Sequence, residues 1–241
     1  MSRKSRMNDV RNAEAKALAD KQRRNRWIMI AVAAVAVVAL IIGAVALGGG
    51  EKTPANTTSP TAVPTEVPTI IPEASHWVEI EIAGHGTITA ELYSNIAPIT
   101  VENFVKLASE GFYDGLTFHR IIDGFMMQGG DPNGDGTGGS ATSIKGEFTS
   151  NGVYNPLLHE RGVLSMARSY LPDSASSQFF IMHQASPWLD GEYAAFGRVL
   201  TGMEIVDAIC ANTPVTDGNG TVLAANQPVI TAIRVIDKPA E

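Results

Sequence analysis

The stretch Phe118-His119-Arg120-Ile121-Ile122-Asp123-Gly124-Phe125-Met126-Met127-Gln128-Gly129-Gly130-Asp131 decides how this chain is read. One permanent cation, Arg120, and one amide, Gln128, stand among large apolar side chains, and two glycines precede the closing aspartate. Short strands are expected over 116–120 and 125–129, on either side of Asp123-Gly124. Arginine keeps its proton and presents five N–H donors in a rigid fork. Held among Phe118, Phe125, Met126 and Met127, such a donor acts on a neutral amide rather than on a free charge. The stretch shows no nucleophile with its base. Its residue types suit a reaction that needs positioning and hydrogen bonding without bond cleavage.

Outward from it, Val78, Ile80 and Ile82 alternate with Glu79 and Glu81, the period of a half-buried strand. Gly84-His85-Gly86 makes a turn, and Thr87–Tyr93 reads as the returning strand. Pro98 suits the first turn of a helix. Val101, Phe104, Val105, Leu107 and Ala108 follow at helical spacing, and Gly111 ends the run. Further strands are expected over 163–167, 178–183, 194–200 and 229–236, and a second helix near Met203–Ala211. Many short strands with Gly-rich turns and two helices predict a mainly β fold, a closed antiparallel β-barrel capped by two α-helices.

Three more segments accompany the first: Gly162-Val163-Leu164-Ser165-Met166-Ala167-Arg168, Ser177-Gln178-Phe179-Phe180-Ile181, and Trp188-Leu189-Asp190-Gly191 followed by Phe196-Gly197. In order and spacing these resemble the signature segments of cyclophilins, from about Trp77 to Ile236. The resemblance implies an eight-stranded barrel and peptidyl-prolyl cis-trans isomerase activity. It implies that Phe125, Met126, Phe180 and Leu189 form a pocket for the proline ring. Gln128 would bind substrate backbone and orient Arg120. Ala167, Arg168 and Gln178 match positions lining the peptide groove, with backbone groups at Arg168 pairing with substrate like a strand. Trp188 matches a groove-edge position where a tryptophan accompanies cyclosporin binding. Two departures stand out. Tyr193 replaces a histidine common in eukaryotic members, which predicts altered substrate preference. Residues 169–176 are one longer than the common eukaryotic segment, and Tyr170 and Leu171 add apolar surface there.

The chemistry agrees with that resemblance. Rotation about a peptide bond faces a barrier of about 18–20 kcal/mol, and uncatalysed X-Pro exchange takes on the order of tens to hundreds of seconds. Lowering it needs a site that prefers the twisted amide over either planar form, with no cofactor or metal. The rival reading is a proline-peptide binding module with little turnover, built on the same groove.

Composition divides the chain. Residues 1–26 carry nine Lys/Arg against three Asp/Glu, and the remainder nine against 22. The acidic body argues against nucleic-acid binding. Trp27 to Leu47 is a 21-residue run without charge, and a bilayer core needs about 20 helical residues. It is longer than a signal-peptide core, and the basic residues before it favour a cytoplasmic N-terminus. We therefore expect a single-pass cell-membrane anchor over 27–47 and a Pro/Thr-rich linker over 48–75, which acts as a semi-rigid spacer. An extracytoplasmic domain over 76–241 follows, acting as a monomer on proline-containing polypeptides, with folding of exported proteins as its task.

Other features read blandly. Strand alternation is expected to turn His119 to the opposite face from Phe118. Asp131-Pro132-Asn133-Gly134-Asp135-Gly136 imitates the start of a calcium loop, but Thr142 stands where the bidentate Glu is needed. The five histidines lack a Glu partner at zinc-like spacing, so no metal site is expected. Cys210, the lone cysteine, reads as a small buried residue on the second helix.

Overall fold

The computed structural model describes residues 69–240. The basic segment 1–26, the apolar run 27–47 and linker residues 48–68 lie outside the described residues. Among the described residues, no helix is long and apolar enough to cross a membrane.

Strands β1 (His76–Ile82) and β2 (Gly86–Leu92) form a hairpin, followed by helix α1 (Pro98–Ser109). Then come β3 (Thr117–Ile122), β4 (Met126–Asp131), β5 (Val163–Met166), β6 (Phe179–Met182) and β7 (Ala195–Thr201). Helix α2 (Met203–Asn212) and β8 (Ile230–Ile236) complete the order. The eight strands form one sheet in the order β3-β4-β6-β5-β7-β2-β1-β8, with antiparallel ladders throughout.

The expected closed barrel is corrected here. The sheet curls, but its edge strands β3 and β8 share no ladder. They meet only near Thr117, which bridges to Val229, beside the bond from Phe118 N–H to the Pro228 carbonyl at 3.0 Å. The reason is competition for the edge of β3. Val222 N–H donates to the His119 carbonyl at 3.0 Å, and Ile121 N–H donates to the Gly220 carbonyl at 2.8 Å. Segment 220–222 therefore occupies the edge that β8 would need.

Each strand sends alternate residues to opposite faces. The concave face holds the main core, in which Val78, Ile80, Leu92, Met127, Phe179, Ile181 and Phe196 are fully buried. Phe104 of α1 sits at its centre, with ring centroids of Tyr113, Phe179 and Phe196 at 5.2–5.3 Å. Burying one such side chain stabilises the fold by roughly 1.5–3 kcal/mol. A second apolar cluster, of Met126, Val163, Phe180, Met182, Leu189 and Ala195, lies on the other face of the same strands.

Helix α1 begins at Pro98, and its own cap residue makes no side-chain bond. Glu147, buried and remote in sequence, accepts the Ile99 and Thr100 N–H groups at 3.1 and 2.7 Å. A carboxylate there satisfies otherwise unpaired donors and complements the helix dipole. Helix α2 follows Gly202 at φ +93°, where an added Cβ would meet the Ile88 Cα at 2.9 Å. Cys210 on α2 is buried as expected, and burial pushes its thiol up to about 12.

Candidate active site

Strands β3 and β4 place a donor and an amide side by side. His119 is an extra residue in β3: Phe118 pairs with Gly129 and Arg120 pairs with Gln128. The bulge interrupts the regular period of β3, and Phe118 and His119 are both buried. It also brings Arg120 opposite Gln128. Neither ring nitrogen of His119 finds a partner among the described residues, and burial lowers its pKa.

Arg120 Nε donates to the Asn219 carbonyl at 2.8 Å, and its Nη1 donates to Gln128 Oε1 at 3.2 Å. Gln128 Nε2 donates to Gln178 Oε1 at 2.8 Å. Gln178 Nε2 in turn donates to the Gly138 carbonyl at 2.7 Å. Every donor in this relay points the same way, so each amide has one orientation. The remaining guanidinium N–H groups make no bond among the described residues. Burial lowers the Arg120 pKa, opposed by Tyr193 and Asp217, and from an ordinary value so high the group stays charged.

The second apolar cluster forms a wall beside this relay. A cavity of about 120 Å³ is lined by Arg120, Phe125, Met126, Gln128, Ala167, Arg168, Phe180, Leu189 and Tyr193. A wider hollow of about 340 Å³ adjoins it, shares Gln128, Ala167 and Arg168, and includes Gln178. Trp188 lines neither; it is 67% exposed, with its ring 5.8 Å from that of Phe125. The guanidinium carbon of Arg120 lies 5.9 Å from the Phe125 ring centre. The structure thus gathers nine of the sequence-predicted residues around one cavity, Gln178 in the next, and Trp188 at the corner.

Arg168 lines both hollows while its guanidinium is held by aromatic rings. Its guanidinium lies between the Phe148 and Tyr193 rings, at 5.0 and 4.7 Å. It also donates to the Glu192 carbonyl at 3.0 Å. Its backbone N–H and carbonyl make no bond among the described residues.

The fold, the relay and the cavity can be set beside known proteins. The model of the cyclophilin type peptidyl-prolyl cis-trans isomerase/CLD family matches residues 77–235. The chain belongs to this family. It is a cyclophilin-type peptidyl-prolyl cis-trans isomerase. It is 54% identical to peptidyl-prolyl cis-trans isomerase B of Bacillus subtilis over 117 residues, 48% of this chain and 78% of the relative. It is 44% identical to a peptidyl-prolyl cis-trans isomerase-like 1 of Rhizopus delemar over 153 residues, 63% of this chain and 89% of the relative. A crystal structure of a Cryptosporidium parvum cyclophilin type isomerase, solved in the presence of the dipeptide Ala-Pro, is 32% identical. It aligns with a TM-score of 0.59 over 67% of this chain and 99% of that one.

Behind this cyclophilin site stands a trio that sequence reasoning missed. His159 is buried, with Nδ1 3.0 Å from Asp190 Oδ1 and Nε2 3.0 Å from Ser165 Oγ. Its ring stacks on Phe180 at 6.1 Å and meets the Tyr193 edge at 6.5 Å. The order Ser-His-Asp resembles a hydrolytic triad, but Ser165 is fully buried and cannot reach a substrate. The trio props the rear of the pocket wall. Ser165 pairs directly with Phe180 across β5 and β6, and strand parity alone could have placed it there. Nothing in the spacing of His159 and Asp190 marks them.

Proposed function

We propose that Arg120 stabilises the twisted X-Pro amide by donating a hydrogen bond to the proline nitrogen, which regains its lone pair as conjugation breaks. The carrying observation is the juxtaposition of partly uncommitted guanidinium donors with an apolar cavity of about 120 Å³. Phe125, Met126, Phe180 and Leu189 hold the proline ring. Gln128 anchors the substrate backbone and keeps the guanidinium in plane. The apolar wall makes the developing hydrogen bond stronger than it is in water. Binding that favours the twisted form over both planar forms lowers the barrier in either direction.

The free main chain at Arg168 supports strand-like pairing with the substrate, and the hollow at Gln178 takes residues before the proline. Tyr170 and Leu171, 94% and 63% exposed, offer apolar contact there. Tyr193 shifts substrate preference, because its ring carries the Arg168 guanidinium. Trp188 supplies an edge contact for cyclosporin-like ligands. The 21-residue run Trp27–Leu47 supports a single-pass anchor with a cytoplasmic N-terminus, and so an enzyme serving exported proteins.

The test is cis-trans exchange of an Ala-Pro peptide with the full-length protein and its Arg120→Ala variant, followed by NMR exchange spectroscopy. Acceleration should fall by about 100-fold in the variant, the usual cost of one transition-state donor. Undiminished acceleration would remove Arg120 from the mechanism. Peptide binding without acceleration in either protein would favour a binding module. For topology, protease added to spheroplasts should release the domain by cutting near residues 50–75; full protection would reverse the orientation.

A further inference from the structure

Phe125 enters the site from a tight turn, and one buried histidine grips that turn. Phe125 N–H closes it by donating to the Ile122 carbonyl at 3.0 Å, with Gly124 in the left-handed region at φ +75°. The Gly124 N–H belongs to the central peptide of the turn, and it donates to Nδ1 of His183 at 2.9 Å. The His183 N–H donates to the Phe125 carbonyl at 2.9 Å. His183 therefore holds the chain both just before Phe125 and at it.

The histidine is itself well anchored. It is only 8% exposed. Nε2 lies 3.0 Å from Asp207 Oδ1 on α2. Arg161 donates to the His183 carbonyl at 2.9 Å and to Asp207 Oδ2 at 2.8 Å. Asp123 Oδ1 is 3.4 Å from Nδ1, but Nδ1 already accepts the Gly124 N–H and so has no proton to give it. A nitrogen that accepts an N–H must carry the ring's lone pair. The proton of the neutral ring therefore sits on Nε2, facing Asp207.

The central peptide of a β-turn is the unit whose orientation distinguishes type I from type II. Pinning its N–H selects one orientation and so sets the direction in which Phe125 leaves the turn. We propose that His183 is a positioning residue for isomerisation: through Nδ1 it fixes the Asp123–Gly124 peptide and thereby the place of Phe125 against Arg120. It touches no substrate. The inference rests on the reading of Phe125 as a pocket wall.

Two substitutions separate the two ends of the ring. His183→Asn sets an amide oxygen near the place of Nδ1 and gives up Asp207. His183→Gln reaches Asp207 with its amide and leaves the Gly124 N–H without an acceptor. In the full-length protein, His183→Asn should keep kcat/KM within about twofold. His183→Gln should lose about tenfold, since small misplacements of a site are costly, and exchange protection at the Gly124 amide should be lost with it. Equal losses in both variants, or none in either, overturn the proposal. A wild-type NMR spectrum showing the proton of the neutral ring on Nδ1 overturns it without any variant. Phe125→Ala is measured alongside. If it leaves turnover intact, the reading of Phe125 fails; if it lowers turnover while His183→Gln does not, only the role of His183 fails.

Discussion

Strand β6 offers two faces to compare. Phe179 and Ile181 point into the concave core, and Phe180 and Met182 point to the outer apolar cluster. The residues are alike and adjacent, and parity alone separates them. The inner face is closed on every side by rings and aliphatic chains. The outer cluster is bordered by Arg120, Gln128 and Arg168 and opens on a cavity. Both faces bury apolar side chains, but only the outer one sets its buried wall beside a cavity and directed donors. A single sheet thus supplies both the scaffold and the site.

The strongest way to break this comparison is to truncate both faces of β6. Phe179→Ala should destabilise the protein by about 3–5 kcal/mol, as large-to-small core changes do, read by urea unfolding. Phe180→Ala should cost clearly less stability and more turnover. Equal stability losses would mean that the outer cluster is core as well.

Arg120→Lys sharpens the comparison on the outer face. A lysine keeps the charge but lacks the planar fork that reaches Asn219 and Gln128 at once. We expect loss of about 100-fold in kcat/KM with an unchanged melting point. Retained turnover would show that charge alone suffices.

Glu147→Gln probes the scaffold at one helix end. Its oxygens accept two α1 N–H groups, and one amide group can replace only part of that. A cost of about 1–2 kcal/mol is expected from the weakened cap, with turnover per folded molecule unchanged.

The smallest effect is on acid stability. Burial lowers the pKa of His119, and it lowers that of His159 against the pull of Asp190. The unfolded chain then binds protons more readily than the native one. Stability from these two groups is present above the unfolded histidine pKa of about 6.5 and falls as pH drops below it. Urea midpoints that rise between pH 7 and pH 5.5 would contradict this sign.

Much of the scaffold was legible because its signals are local. The alternation in β1, the helical spacing from Val101 to Ala108 and Pro98 each act over a few residues, and the observed elements start and stop close to the expected bounds. The residues that gather around the cavity were legible through one family's motifs. What escaped depended on distant partners. The barrel does not close, because segment 220–222 takes the edge of β3. His119 is buried beside Phe118, because a bulge interrupts the period. Arg168 turns its side chain between Phe148 and Tyr193, and no reading of its neighbours places those rings.

By itself, then, the amino-acid sequence determined the strand and helix inventory, the family and the set of residues around the cavity, because periodicity and motif spacing are properties of the chain. Only the tertiary structure decided which segment takes the edge of β3, which carboxylate caps α1, and which histidines stand behind Phe180 and Phe125. Those outcomes are competitions among groups far apart in the chain for the same hydrogen bonds and the same buried space. Such competitions are settled only when the sheet has folded and brought the contestants together.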